Sequence, residues 1–272
     1  MRFVAACIQL NCQDIMAENI RQAHVLMQEA IARGASFITL PENAFLMEAH
    51  GKAEYAEPLP LDSHPGVRMC KDFALHHGCW ILTGSVTVRD TGQEKLYNTS
   101  LLIDNRGGIA ARYDKIHLFD VDLGNGEHYA ESRRFLAGNR MVVASAPWGQ
   151  IGMSVCYDVR FPHLYRDMAK AGATLFTVPA AFTAVTGAAH WHVLLRARAI
   201  ENGCIVIAPA QCGEHPGKRR TFGHSLIISP WGEILAEAGD EVCVITAEID
   251  TEAVRGVRAR IPSLTHDRPY NS

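Results

Sequence analysis

The chain contains the stretch Gly152-Met153-Ser154-Val155-Cys156-Tyr157-Asp158-Val159-Arg160-Phe161-Pro162. Its first residues are small and apolar, which predicts a buried strand over 151–155, and a helical pattern begins near Pro162. Cys156 therefore stands where a strand gives way to a helix. Because the N–H groups and dipole of a helix N-terminus favour a thiolate, this position predicts an activated cysteine; the alternative is one more buried, inert thiol.

The same plan occurs in the first half of the chain. An apolar strand at 3–10, a helical pattern that stops at Gly34 and a strand at 36–40 lead to Pro41-Glu42. In the second half, the strand at 151–155, a helix and a strand at 174–178 lead to Pro179-Ala180. Alternating strands and helices predict an α/β fold with parallel strands. Since no linker interrupts the pattern, we expect one domain over 1–272.

Composition favours a small-molecule partner. The chain has 48% hydrophobic and 20% charged residues and a net charge of -3, without a basic stripe, which argues against nucleic acid and anionic membranes as partners. No apolar run reaches membrane-spanning length, and residues 1–6 do not resemble a signal peptide.

The eight cysteines are spread along the chain, and none forms a Cys-x-x-Cys pair. Most lie in apolar runs, where a reduced buried thiol is expected. We therefore predict a reducing cytoplasmic location rather than a disulfide framework.

Three segments between these units carry weaker patterns. Strands are predicted at 79–88, where the run is apolar, and at 223–228. The segment 114–139 is long, polar and weakly periodic, which predicts a loop, and a loop of that length in a compact domain is often functional.

Three polar side chains come directly after predicted strands. Glu42 follows 36–40, Lys115 follows 109–113, and Cys156 follows 151–155. Chemically they form a coherent set: a carboxylate that accepts the thiol proton, an ammonium group that stabilises an oxyanion, and a nucleophile. Taken singly, a Glu or Lys beside a strand is more often a solvated charge, so the hypothesis depends on the three converging.

The motifs around these residues resemble those of the nitrilase, or carbon-nitrogen hydrolase, superfamily, in the order found in that family. This resemblance covers nearly the whole chain and implies a four-layer α-β-β-α sandwich that pairs as a homodimer or higher homo-oligomer. It rests on Leu40-Pro41-Glu42, Tyr113-Asp114-Lys115-Ile116-His117-Leu118-Phe119-Asp120 and Val155-Cys156-Tyr157-Asp158-Val159-Arg160-Phe161-Pro162.

The resemblance also implies roles for these residues. Cys156 would be the nucleophile, Glu42 the general base and then acid, and Lys115 the oxyanion stabiliser, helped by the backbone N–H of Tyr157. A second glutamate, common in the family, corresponds best to Glu131, while Glu127 is the competing position four residues earlier and is expected to be a solvated loop charge. No cofactor is needed.

The implied reaction is hydrolysis of the amide bond of a small carboxylate-bearing substrate through a cysteine thioester, with release of ammonia. Residues 180–187, 189–201, 210–215 and 222–225 resemble the branch of deaminated glutathione amidases and ω-amidases, and the last two segments favour the former. An ω-amidase acting on 2-oxoglutaramate and an N-carbamoyl amino acid hydrolase are alternatives, and an inactive binding subunit is the non-enzymatic one. Asn43-Ala44-Phe45 differs from the family pattern next to the pocket, which leaves the substrate open.

A carboxylate-bearing substrate calls for a cation in the pocket. Arg160, four residues after the nucleophile, is the first candidate, and the alternative for it is a buried salt bridge with Asp158 or another acid. By analogy with the family, Phe182 and Thr186 line the site. Lys218-Arg219-Arg220 is a second candidate for screening a longer anionic substrate, although such clusters are more often solvated.

The histidines do not form a local metal motif. His190 and His192 flank Trp191, and His76 and His77 are adjacent, so neither pair has the i, i+4 spacing that places two ligands on one helix face. We therefore predict no metal site. His117 suggests a Cys-His dyad, but with a glutamate base it is better interpreted as a brace for the lysine turn.

Overall fold

The computed structural model describes residues 1–47, 61–124 and 126–269. Within these residues the helices are α1 (Met16–Ala32), α2 (Pro65–His77), α3 (Pro162–Lys170), α4 (Ala184–Asn202) and α5 (Glu252–Arg260). The strands there are β1 (Arg2–Gln9), β2 (Phe37–Thr39), β3 (Trp80–Leu82), β4 (Val86–Val88), β5 (Tyr97–Ile103), β6 (Ile109–Asp114), β7 (Asp120–Asp122), β8 (His128–Ala130), β9 (Val142–Ala146), β10 (Gly149–Met153), β11 (Leu175–Thr177), β12 (Ile205–Ala208), β13 (Cys212–Glu214), β14 (Arg220–Phe222), β15 (Leu226–Ile228), β16 (Ile234–Glu237) and β17 (Cys243–Asp250).

Two large sheets repeat one plan. The first has the order β17-β1-β2-β3-β5-β4, with β6 also paired to β5, and the second has the order β16-β15-β12-β11-β10-β9. In each, three consecutive strands are parallel, β1-β2-β3 and β10-β11-β12, and antiparallel strands extend them on both sides. The repeat inferred from sequence thus corresponds to one sheet per half.

The sheets stack face to face with helices outside. Along β1, Ala5 and Cys7 belong to the core shared with Met153 of the second sheet, whereas Ala6 and Ile8 pack against α1 and α2. Successive side chains on a strand point to opposite faces, so one strand supplies both cores. On the second sheet, α3 packs on β10 and α4 on β12. The predicted α-β-β-α sandwich is confirmed.

The structure corrects three predicted segments. The strand at 79–88 is two strands, β3 and β4, because the chain turns at Gly84, where φ is +70° and a Cβ atom would lie 1.9 Å from the Pro41 carbonyl oxygen. The strand at 223–228 begins only at Leu226, after a β13–β14 hairpin. The predicted loop at 114–139 contains a β7–β8 hairpin and a 3-10 turn at Glu131–Arg133. Strands of three residues with charged members carry too little periodicity to be recognised from sequence.

Among the described residues, no helix combines the length and apolar character that crossing a membrane requires.

Candidate active site

Cys156 lies at a sharp turn after β10. Val155 is extended, with φ -138° and ψ 120°, whereas Cys156 adopts the left-handed region with φ 49° and opens a 3-10 turn over Cys156–Arg160. The Cys156 N–H donates to the Pro179 carbonyl at 2.9 Å. A non-glycine residue keeps such a conformation only where its surroundings enforce it, as at many functional sites.

The buried Asp158 carboxylate ties this turn to the lysine turn. It accepts hydrogen bonds from the Val155 N–H at 2.8 Å and from the Tyr113 hydroxyl at 2.7 Å. The backbone N–H of His117 donates to the same carboxylate at 3.1 Å, and His117 Nδ1 lies 2.7 Å from it. The expectation that His117 braces the lysine turn is confirmed, since Lys115 lies between Tyr113 and His117.

Glu42 is held by donors from both sheets. The residue follows β2 and is buried, and its Oε1 accepts from Lys115 Nζ and Asn98 Nδ2, each at 2.9 Å. Its Oε2 accepts from the Ala181 N–H at 2.9 Å. Three donors therefore fix the carboxylate without a flexible solvent shell.

Lys115 joins Glu42 to Glu131. Lys115 Nζ lies 2.9 Å from Glu131 Oε2, which also accepts from the Phe119 N–H at 2.7 Å. Glu127 instead accepts from the Tyr129 hydroxyl at 2.7 Å. Of the two glutamates considered from sequence, Glu131 is the one that lines the cavity around Cys156.

Electrostatics keep Glu42 and Lys115 charged. Burial by itself raises the pKa of Glu42, but the ammonium of Lys115 and, to a lesser degree, the guanidinium of Arg219 bring it below its usual value. Burial likewise works against a charged Lys115, yet the carboxylates of Glu131 and Glu42 raise its pKa above the ordinary value. Glu42 is thus a carboxylate and Lys115 an ammonium group at neutral pH.

The Cys156 thiol is protonated in the resting site. Burial and, next, the Glu42 carboxylate raise its pKa well above the ordinary value, although Lys115 opposes them. The prediction of a thiolate favoured by a helix end is therefore wrong for this state: the residues after Cys156 form a 3-10 turn, and α3 begins only at Pro162. Activation has to come from proton transfer to Glu42, with which the thiol makes a hydrogen bond.

The cavity includes three of the four predicted substrate contacts. Tyr157, Phe182 and Thr186 line it together with Cys156, and Arg160 does not. The Arg160 guanidinium lies behind this lining, 5.0 Å from the centre of the Phe182 ring, with Nη1 3.3 Å from His190 Nδ1. Its predicted alternative, an ion pair with Asp158, is not what the structure shows, because Asp158 is bound by other donors.

Two cavity residues had little or no signal in the sequence. Asn98 lies near the start of β5, beside Thr99 and Ser100, and donates to Glu42 and Glu131; its amide gave no distinct sign in the sequence. Arg219, considered only as part of a cationic loop, lines the cavity, and Nη2 donates to the Ala181 carbonyl at 2.8 Å. Its buried Nε has no hydrogen-bond partner among the described residues.

Only one group of histidine and acidic side chains in the described residues has spacing suited to a metal ion. It consists of His192, His224 and Glu237 and lies outside the cavity.

Comparison with known proteins gives a consistent result. The family model described as carbon-nitrogen hydrolase matches residues 4–259. A deaminated glutathione amidase of Synechocystis is 43% identical over 268 residues, covering 97% of each chain. The human deaminated glutathione amidase is 38% identical over 273 residues, covering 98% of this chain and 82% of its own.

The fold has close counterparts among solved structures. The crystal structure of the C. elegans NitFhit protein superposes with a TM-score of 0.88 at 34% identity. The match covers 98% of this chain but 65% of the NitFhit chain, so the present chain spans about two-thirds of that protein.

Proposed function

The chain belongs to the carbon-nitrogen hydrolase family, and from this premise we propose that it is a thiol amidase that hydrolyses deaminated glutathione. The observation that carries the proposal is the buried contact of Glu42, Lys115 and Cys156 in one cavity. The relatives named deaminated glutathione amidase support the substrate.

We propose that Glu42 starts the reaction as the base. It takes the Cys156 proton as the sulfur attacks the substrate carbonyl, so no standing thiolate is required. An ammonium group has three N–H donors, and two of those on Lys115 are directed at Glu42 and Glu131. The third, with the backbone N–H of Tyr157, is available to the oxyanion.

Glu42 then acts as the acid. It returns the proton to the leaving nitrogen, the carbon-nitrogen bond breaks, and a thioester to Cys156 remains. Water attacks the thioester as Glu42 takes one of its protons, and the Cys156 thiol leaves with that proton. Glu131 has a positioning role, since its carboxylate orients Lys115.

The leaving group depends on the substrate. In deaminated glutathione, the bond that breaks joins a 2-oxoglutaryl group to the cysteine nitrogen, so cysteinylglycine leaves. Ammonia leaves only from primary amides such as 2-oxoglutaramate. The ammonia release expected from sequence therefore applies to the ω-amidase alternative, and both substrates yield 2-oxoglutarate.

Arg219 is our first candidate for binding a substrate carboxylate. Its buried Nε, which has no hydrogen-bond partner in the part of the chain that the structure describes, is an N–H donor at the cavity wall, and its charge helps to lower the pKa of Glu42. A buried N–H donor without an acceptor costs free energy, and a substrate carboxylate that accepts its hydrogen bond would remove that cost. Arg160, behind Phe182, is the second candidate.

The function is tested by measuring 2-oxoglutarate and free amine from deaminated glutathione and 2-oxoglutaramate, with a carbamoyl amino acid and a nitrile as further substrates. We expect the highest kcat/KM for deaminated glutathione and no turnover by Cys156→Ala. Preference for another amide would keep the chemistry and reject the substrate, whereas no turnover at all would favour a binding subunit.

The carboxylate contact is tested with Arg219→Gln, using the exposed neighbour Arg220→Gln as the matched control. We expect KM for deaminated glutathione to rise at least about tenfold in Arg219→Gln, as loss of a charge-assisted hydrogen bond implies. Equal KM values for the two variants would transfer the role to Arg160, to be tested as Arg160→Gln.

We also propose a homodimer formed through α4. This helix exposes Val185, Val193 and Ile200, and Ile200 packs against the turn that carries the exposed Trp231. An apolar surface of this kind is typical of an interface. Val193→Glu should shift the mass measured by light scattering from dimer to monomer; an unchanged dimer would place the interface elsewhere.

For location we propose a reducing cytoplasm, consistent with eight free cysteines.

A further inference from the structure

A cluster of two histidines and two carboxylates lies on the side of the second sheet. His192 comes from α4, His224 from the turn before β15, and Glu237 from the end of β16. His192 Nε2 and His224 Nδ1 lie 2.8 Å and 3.1 Å from the same oxygen, Glu237 Oε1. On its other side, His224 Nε2 lies 3.1 Å from Asp240 Oδ1.

The proton count of His224 points to a cation. Both ring nitrogens face carboxylate oxygens, but a neutral imidazole carries only one N–H. If Nε2–H donates to Asp240, the lone pair of Nδ1 faces Glu237 Oε1 at 3.1 Å, which is repulsive. A metal ion between Nδ1 and Glu237 Oε1 would remove the repulsion and leave the Nε2–H bond to Asp240 in place.

The backbone and rings hold His224 in this position. His224 has a left-handed φ of 53°, its N–H donates to the Gly239 carbonyl at 3.1 Å, and its carbonyl accepts from Trp191 Nε1 at 2.8 Å. Its ring stacks on Phe222 with centroids 4.3 Å apart. The imidazole is therefore fixed before any ion arrives, which lowers the entropy lost on binding.

The donor set suits a zinc-class ion. Two imidazoles and one carboxylate are typical ligands of Zn²⁺, and the three donor atoms lie within 4.8 Å of one another, so small side-chain shifts that admit an ion between them bring them into coordination range. Asp240 stands where metal sites commonly place a carboxylate that receives the free N–H of a ligating histidine and fixes its tautomer.

We propose that His192 Nε2, His224 Nδ1 and Glu237 Oε1 form a binding site for a Zn²⁺-class cation, completed by water, with Asp240 as the positioning carboxylate. The site joins α4, the turn before β15 and β16. It lies one layer behind the substrate cavity, because Trp191, which holds the His224 carbonyl, packs on Phe182 with ring centroids 5.0 Å apart. Bound metal would thus stiffen the wall that carries Phe182.

The test is calorimetric titration of Zn²⁺ into the full chain, with Co²⁺ absorption as the second readout. Both use the Cys156→Ala background, so that the thiol of the active site does not compete. We expect one ion per chain and a Co²⁺ spectrum without thiolate charge-transfer bands. His224→Asn is the main variant, since Asn tolerates a left-handed backbone, and Glu237→Gln is a second variant that leaves that turn unaltered.

Both variants should lose at least tenfold in Zn²⁺ affinity, and Asp240→Asn should lose about tenfold through the tautomer. The control His76→Asn removes a surface histidine and should bind like the background protein. Binding that is unchanged in His224→Asn and Glu237→Gln, or no Zn²⁺ binding by the background protein, would overturn the proposal and leave the cluster as hydrogen bonds between histidines and carboxylates.

Discussion

The two sheets contribute different chemistry to the cavity. The first supplies charge: Glu42 follows β2 and Lys115 follows β6, with side chains only 4% and 2% exposed. The second supplies neutral groups: the Cys156 thiol after β10 and the Ala181 N–H after β11. Because the opposite charges neutralise each other within the first sheet, packing the sheets together buries an ion pair and not an isolated ion, whose desolvation would be far more costly.

The comparison predicts that loss of the neutral nucleophile after β10 affects activity far more than stability. Cys156→Ala should reduce kcat by roughly 10⁶-fold, since it removes the nucleophile. It should change the free energy of unfolding by no more than about 1.5 kcal/mol, as for deletion of one buried heavy atom. Turnover and urea denaturation of the same preparation check both expectations; a large loss of stability would remove the contrast between the sheets.

On the first sheet, activity and stability should fall together. Lys115→Met should reduce kcat by about 10²–10³-fold through loss of an oxyanion donor. It should also cost about 3–5 kcal/mol of unfolding free energy, because the buried Glu42 and the partly buried Glu131 lose their cation. The same assay and denaturation series measures this. If Lys115→Met were as stable as Cys156→Ala, the fold would tolerate Glu42 and Glu131 without the Lys115 cation.

Asp158 tests whether the second sheet also relies on a charge. Asp158→Asn should lower the unfolding free energy by about 1–3 kcal/mol, since an amide cannot accept all the hydrogen bonds that the carboxylate takes from Val155, Tyr113 and His117. Thermal unfolding measures the loss, with the exposed Asp167→Asn as the matched control. Equal melting temperatures would mean that these donors find other acceptors.

The last effect develops only as pH falls and concerns a neutral histidine that joins the two halves. Burial lowers the pKa of His215 to about 4, from 6.5, between the Cys12 carbonyl and the Thr221 hydroxyl. Between these two pKa values, His215 is therefore protonated in the unfolded chain and neutral in the folded chain. This contribution to stability is complete above pH 6.5 and falls by about 3 kcal/mol as pH drops toward 4.

In His215→Gln, unfolding free energy measured between those two pH values should depend less steeply on pH, by up to one proton. The exposed His76→Gln should keep the wild-type slope. The slope, and not the absolute stability, is the readout, so a general loss of packing does not obscure the result. An unaltered slope would mean that His215 is not the titrating group.

Long apolar runs and strand-end residues made much of this architecture predictable. The runs at 3–10 and 36–40 have the period and length of buried strands, and the three motifs located Glu42, Lys115 and Cys156. What failed depends on contacts between distant segments. Arg160 lies outside the cavity lining, with its guanidinium 5.0 Å from the ring centre of Phe182, which follows the neighbouring strand β11.

The same limit applies to the histidine cluster. The i, i+4 criterion for a metal site applies only to histidines close together in the sequence. His192 contacts Glu237, and Glu237 contacts His224, through the packing of α4 on the β15–β16 hairpin. Residue spacing within one helix cannot indicate a contact between side chains of different elements. Likewise the Cys156 thiol is protonated because burial and the nearby Glu42 carboxylate raise its pKa. The residues next to Cys156 in the sequence do not show that Glu42 lies beside it.

The pairing of β1 with β17 has a consequence for synthesis. The two strands align antiparallel from Arg2 with Asp250 to Gln9 with Cys243. During translation β1 emerges long before β17, so one edge of β1 has no native strand beside it until residues 243–250 leave the ribosome. An unpaired apolar strand edge is a template for aggregation. Nascent chains stalled before β17 should therefore depend on chaperones, because the first sheet cannot be completed until that strand is made.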